Sequence, residues 1–246
     1  MRVFLKIAYD GTHYHGWQFQ EGQRTIQGEV ERALTKLTKS RVNIIGASRT
    51  DAGVHAISNI AVFDTDSTIP GDRFIFALND ILPDDIKIVE SKYVSNEFNP
   101  RSNVVDKTYE YRILNSPVAI PTKRLYTYHY RGRLDDVAMS EAAGYLVGTH
   151  DFTSFSSVHA QVKSFTRTIF SCVVKREDEE VIISINGNGF LYNMVRIIAG
   201  TLLEVGCGKK NPMDIKEILE KKNRIFAGQT LPPQGLILKD IHYENT

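Results

Sequence analysis

The folds open to this chain are limited first by a loop of small residues set between two apolar runs. The loop reads Gly46-Ala47-Ser48-Arg49-Thr50-Asp51-Ala52-Gly53-Val54-His55-Ala56, and the runs at 42–45 and 59–63 read as strands. Small residues around one arginine and one carboxylate let the backbone turn tightly and hold Asp51 out at the strand ends. Loops on a rigid scaffold are where reactive groups tend to sit. On spacing alone, the loop equally suits a polar turn carrying a surface Arg–Asp pair.

The elements around the loop suggest an architecture. Residues 3–9 alternate as a half-buried strand does. Thr25 is placed to cap a helix in which Ile26, Val30, Ala33, Leu34 and Leu37 share a face. Strands at 42–47 and 59–64 bracket the loop, a helix at 71–82 stops before Pro83, and a strand covers 86–94. This β-α-β-β-α-β order predicts a ferredoxin-like unit, an antiparallel sheet with helices on one face.

The second half roughly repeats the theme. Strands are expected at 107–114, 125–131, 166–176 and 180–187, with a closing strand at 235–243. Helices are expected from Asp135 or Asp136 to residue 147, near 192–205, and at 213–222. Asn99-Pro100 breaks the pattern between the halves. The reading is an α+β chain with domains at 1–103 and 104–246. Its two ferredoxin-like halves share a central antiparallel sheet flanked by helices, with a ligand cleft between them.

Composition excludes more than it assigns. No apolar stretch approaches the ~20 residues that cross a bilayer, and the N-terminus enters a strand pattern at once, unlike a signal peptide. A cytoplasmic protein is expected. Cys172 and Cys207 are too few and too far apart to suggest a disulfide framework or a zinc site. His13 and His15 lack a carboxylate or cysteine partner in a metal-binding spacing, so no metal is expected. Neither a GxGxxG after a strand nor a P-loop occurs, so no nucleotide cofactor is expected. The net charge is only +1, but between Arg101 and Arg133 seven basic residues face two acidic ones. A basic face fits phosphate binding, and strand-edge cations that prevent aggregation explain it equally well.

An ordered series of motifs adds a resemblance. Tyr9-Asp10-Gly11-Thr12, Gly16-Trp17-Gln18, Thr25-Ile26-Gln27-Gly28 and the Asp51 loop come first. Phe98-Asn99-Pro100-Arg101, Lys107-Thr108-Tyr109-Glu110-Tyr111, Asp151-Phe152-Thr153-Ser154-Phe155, Met194-Val195-Arg196 and Leu231-Pro232-Pro233-Gln234-Gly235-Leu236 come after it. Together they resemble the TruA-type tRNA pseudouridine synthases over nearly the whole chain. Departures are local: Asn99-Pro100 stands where His-Ala is usual, Phe19 where a polar or basic residue is common, and Ile237 where many members carry an aromatic.

The resemblance implies an isomerase that turns uridine into pseudouridine at positions 38, 39 and 40 of the tRNA anticodon stem-loop. The expected cleft then becomes an RNA-binding one. Breaking the N1–C1′ bond and rejoining uracil through C5 needs no redox cofactor. It needs a carboxylate, as covalent nucleophile or as base, and the resemblance gives that role to Asp51. Arg196 stands on an apolar helix and is implied as the cation beside Asp51. Such a neighbour lowers a carboxylate pKa by ~1–3 units; a structural ion pair, or a helix-surface arginine snorkelling to water, explains Arg196 equally well. Tyr109 is implied to stack on the flipped base, although a strand tyrosine is more often packing. Arg49 is implied to fill the vacated stack, with phosphate clamping as its alternative. A homodimer bridged by tRNA is implied as well. A non-catalytic RNA-binding protein and a glycosidic-bond hydrolase remain the competing classes, the latter normally needing two carboxylates.

Overall fold

The computed structural model describes residues 1–157 and 162–244. The chain is mixed α/β and divides into two compact units. One is Met1–Val105 with Ile237–Thr246, the other Asp106–Leu236. The division expected after residue 103 leaves the closing strand in the second half, whereas the contacts group it with the first unit.

In the first unit the alternating run becomes β1 (Arg2–Tyr9), with Val3, Leu5, Ile7 and Tyr9 buried. Helix α1 (Ile26–Thr38) comes next; Thr25 Oγ1 accepts from Gly28 N, and Ile26, Val30, Ala33 and Leu34 form its buried stripe. The expected strand at 42–47 shrinks to β2 (Ile45–Gly46), while β3 (His55–Asp64) starts four residues early. The expected helix at 71–82 is a single 3-10 turn, Gly71–Arg73, followed by the short α2 (Phe74–Asn79), which lies against β4 (Ile86–Val94).

Strand β1 pairs antiparallel with both β3 and β4, and β2 pairs antiparallel with β3. The resulting order β4-β1-β3-β2 is the ferredoxin-like arrangement. One irregularity bears directly on the Asp51 loop. Ile7 faces Asn59 and Tyr9 faces Ala56, so β3 carries an extra residue just after it leaves that loop. A bulge of this kind bends a strand and re-aims its side chains. The closing strand β10, which runs Leu236–Tyr243 at the end of the chain, joins this sheet parallel to β3 through Ile237↔His55 and Leu238↔Ala56.

The second unit contains, in chain order, β5 (Val104–Leu114), β6 (Tyr128–His129), α3 (Asp136–Gly144), β7 (Gly148–Asp151), β8 (Thr166–Glu177), β9 (Glu180–Gly187), α4 (Met194–Gly206) and α5 (Asp214–Lys221). Strand β9 lies between β5 and β8, antiparallel to both, and β7 extends the sheet beyond β8. The frame β5-α3-β8-β9-α4 thus repeats the beginning of the first unit's order. Two details depart from expectation. The strand at 125–131 reduces to two residues, and β7 has no counterpart in the sequence reading. The acidic run 177–180 does make a tight hairpin, with Glu177 opposite Glu180 and Asp178 at φ 51°.

Helix α4 is the core of this unit, with Ile197, Ile198, Ala199 and Leu202 fully buried. It accepts a close backbone neighbour at Gly200, where a Cβ would collide with the carbonyl oxygen of Gln229. That contact lays the segment 228–232 against the helix.

Candidate functional site

The Asp51 loop is held by the segment that opens the chain. Trp17 N donates to Thr50 O (3.0 Å), and Gly53 N donates to Tyr14 O (3.3 Å). Tyr9 Oη and Thr50 Oγ1 are 2.7 Å apart, both buried. Gly16 permits the approach: its φ is +85°, and a Cβ there would stand 2.6 Å from Thr50 O. Within the loop Val54 N closes a turn onto Asp51 O (3.1 Å). Asp51 itself is half-buried and Arg49 exposed, so the two residues face different surroundings although only one residue separates them.

A buried asparagine ties the loop to the sheet. Asn59 is fully buried on β3, and its amide donates to Ser48 O (3.1 Å) and Tyr9 Oη (3.2 Å) while its oxygen accepts from Ile60 N. Leaving such groups unpaired costs ~1–3 kcal/mol each. Two further braces come from outside the loop. Gly11 N donates to His55 Nδ1 (3.1 Å), with Asp10 Oδ1 3.1 Å from the same nitrogen. Arg101 Nε donates to Gly46 O (3.0 Å), which gives the last residue of the Phe98–Arg101 motif a task.

Tyr109 and Arg196 belong to the second unit. Tyr109 lies on β5 opposite Ile185, is buried, and meets Phe190 edge-on at 5.2 Å between ring centres. Arg196 is half-buried in the first turn of α4. Its Nη1 donates to Asn193 Oδ1 (2.7 Å) and its Nε to Leu231 O (2.7 Å), so the guanidinium plane is oriented by two bonds. Next to it, Tyr111 Oη donates to Pro232 O (2.7 Å). Burial pushes the Tyr111 phenol far above its ordinary range, and the charge of Arg196 partly opposes that push. The motif at 231–236 is therefore a strap whose carbonyls are read by Arg196 and Tyr111.

Asp51 and Arg49 thus share one unit, Tyr109 and Arg196 the other. The reading from sequence missed Tyr9, Asn59, Asn193 and Tyr111. Asn59 had a usable signal, since an amide opening an apolar strand run must find buried partners. The basic run also turns out differently from a bare cationic face. Arg112 lies 3.1 Å from Glu110 and 3.5 Å from Glu180, and Lys123 2.6 Å from Glu180. No helix among the described residues is long and apolar enough to cross a membrane.

Comparison with known proteins matches residues 6–101 and 142–244 to the family model described as tRNA pseudouridine synthase. The chain is 49% identical to "tRNA pseudouridine synthase A" of Acetivibrio thermocellus, covering 98% of this chain and 99% of that one. It is 48% identical to "tRNA pseudouridine synthase A 2" of Clostridium tetani, covering 98% of each. With "tRNA pseudouridine synthase A" of Bacillus pumilus it shares 47% identity over the full length of both.

Proposed function

The chain belongs to the tRNA pseudouridine synthase family, which isomerises uridine to pseudouridine in tRNA, and from that premise we propose the substrate positions and the work of each residue. The observation that carries the assignment is the loop's bracing: bonds from Trp17 and Asn59 to the main chain, and from Tyr9 to the Thr50 side chain, hold the approach to Asp51. A carboxylate on a backbone held that way suits attack on, or proton removal from, a ribose brought to it in one orientation.

In this reading Asp51 is the nucleophile or base at the sugar, and Arg196 is the cation that keeps it ionised while a nucleotide covers it. The bonds from Arg196 to Asn193 and Leu231 support that role, because an oriented guanidinium presents its donors in a fixed fork. Tyr109 stacks on the extruded base, its ring set by Phe190. Arg49, exposed beside Asp51, occupies the space the flipped nucleotide leaves. The proposed targets are uridines 38, 39 and 40 of the anticodon stem-loop. Access to several neighbouring positions calls for recognition of shape and backbone. A cytoplasmic homodimer bridged by its tRNA completes the proposal.

The test is pseudouridine mapping at single-nucleotide resolution in an unmodified tRNA transcript with uridines at 38–40, without added metal or cofactor. Product confined to those positions is expected. Product elsewhere overturns the positional assignment, and free uracil with an abasic site identifies a hydrolase.

A further inference from the structure

A groove of about 660 Å³ runs along α1 and is lined by Phe19, Gln27, Arg32, Lys36, Arg41 and Asn43 among others. Phe19 is 56% exposed, unusual for a phenylalanine on a polar turn. Its position is nevertheless fixed. Phe19 N donates to Gln27 Oε1 (3.1 Å), and one side of its ring rests over Gly28, where a Cβ would come within 3.4 Å of it.

The groove's lining carries three cations, Arg32, Lys36 and Arg41, against one carboxylate. Glu31, the only acid lining the groove, is committed to the fold: its Oε1 accepts from Ile44 N (3.0 Å) and Gln27 Nε2 (2.8 Å). Arg32 shares Glu29 with Arg24. Lys36 and Arg41 add two further cations to the lining. Residues 28, 32 and 36 recur at i, i+4 intervals, so the two cations of α1 lie one turn apart on the face that Phe19 borders.

The groove is also tethered close to the reactive loop. Trp17 bridges the two, its N donating to Thr50 O (3.0 Å) and its carbonyl accepting from Gln27 N (2.9 Å). Phe19 lies two residues beyond Trp17, which keeps its Cα within about 12 Å of Thr50 O. That reach covers the nucleotides immediately beside the reacting one.

We propose that this groove holds the unpaired RNA next to the reacting uridine: Phe19 stacks on a neighbouring base, and Arg32, Lys36 and Arg41 take the adjoining phosphates. An aromatic face beside a line of cations is the arrangement that binds single-stranded nucleic acid. A protein partner fits less well, since the cores of protein interfaces are depleted in charge. The inference rests on the tRNA reading above and adds a contact surface to it.

The experiment measures binding of the unmodified tRNA transcript over a range of salt, with wild type, Phe19→Ala, Phe19→Trp and the double variant Lys36→Ala/Arg41→Ala. Phe19→Ala is expected to weaken binding about tenfold with an unchanged salt slope. Phe19→Trp keeps the affinity, and its indole emission is quenched by RNA. The double variant lowers the salt slope by about 1.5. Wild-type affinity in Phe19→Ala overturns the proposal. So does a fall in oligomeric state without RNA, which assigns the groove to a second copy of the chain. A wild type that binds the transcript through Phe19 yet forms no pseudouridine refutes the isomerase reading instead, and leaves the groove standing.

Discussion

In the first unit, Asp51 stands on a loop held by main-chain groups and polar side chains, Arg101 among them; in the second, Arg196 stands on a helix whose neighbouring positions are apolar core. Beyond the buried Ala47, Val54 and Ala56, the loop takes its order from Tyr9, Gly16, Trp17 and Asn59, which precede and follow it in the chain. Helix α4 needs no such help. Ile197, Ile198 and Leu202 fix its axis, and two hydrogen bonds then aim Arg196. Damage to the first arrangement should therefore cost geometry before stability, and damage to the second should do the reverse.

Asn59→Leu gives the largest expected effect on that contrast. It removes the bonds to Ser48 O, Tyr9 Oη and Ile60 N in the interior, and unfolding should become easier by about 3 kcal/mol. Turnover should fall at least ~100-fold even where the variant is fully folded, because a shift of about 1 Å at a reacting group has that consequence. Denaturant midpoints and single-turnover rates on the same preparation separate the two. Gly16→Ala comes next. Its positive φ and its approach to Thr50 O predict a loss of ~1–3 kcal/mol, again with a larger proportionate loss of rate.

Tyr111→Phe probes the other unit. It removes one hydrogen bond to Pro232 O and should cost about 1 kcal/mol, with turnover reduced less than tenfold. A loss as large as that of Asn59→Leu would dissolve the contrast. The smallest effect concerns acid. A hydrogen bond from Arg176 (2.7 Å) holds the Asp136 carboxyl below its ordinary range. Because the folded value lies below the unfolded one, the stabilisation is complete above the unfolded value near 4. It disappears as pH falls through the folded value. Asp136→Asn should lose at most about 1 kcal/mol at pH 7, the pair being partly open to solvent. The difference from wild type should close in acid urea titrations.

The same contrast explains what could be read from the sequence. Elements with regular periodicity were legible: β1, β4, β8, β9, α1 and α4 stand within a few residues of expectation, since their burial follows the pattern of apolar side chains. The boundaries of the loop were not. β3 begins at His55 because the parallel pairing of β10 captures His55 and Ala56, a contact between residues 182 positions apart. No local pattern announces it. The short β2 and β6 likewise depend on partners rather than propensity. Of the candidate site, Asp51 and Arg196 were visible as residues. Their supports were harder to see: the amide of Asn59 at the head of an apolar run is the one local sign, and Tyr111 alternates with Tyr109 on a strand that reads as ordinary packing.

The central claim is that a rigidly braced Asp51 does the chemistry, and the direct test is Asp51→Asn beside wild type on one unmodified tRNA transcript. Pseudouridine formation and RNA affinity are measured together. Loss of product is expected, with the transcript still bound within about twofold of wild type. Product formed by Asp51→Asn at a comparable rate would contradict the claim and move the chemistry to another residue.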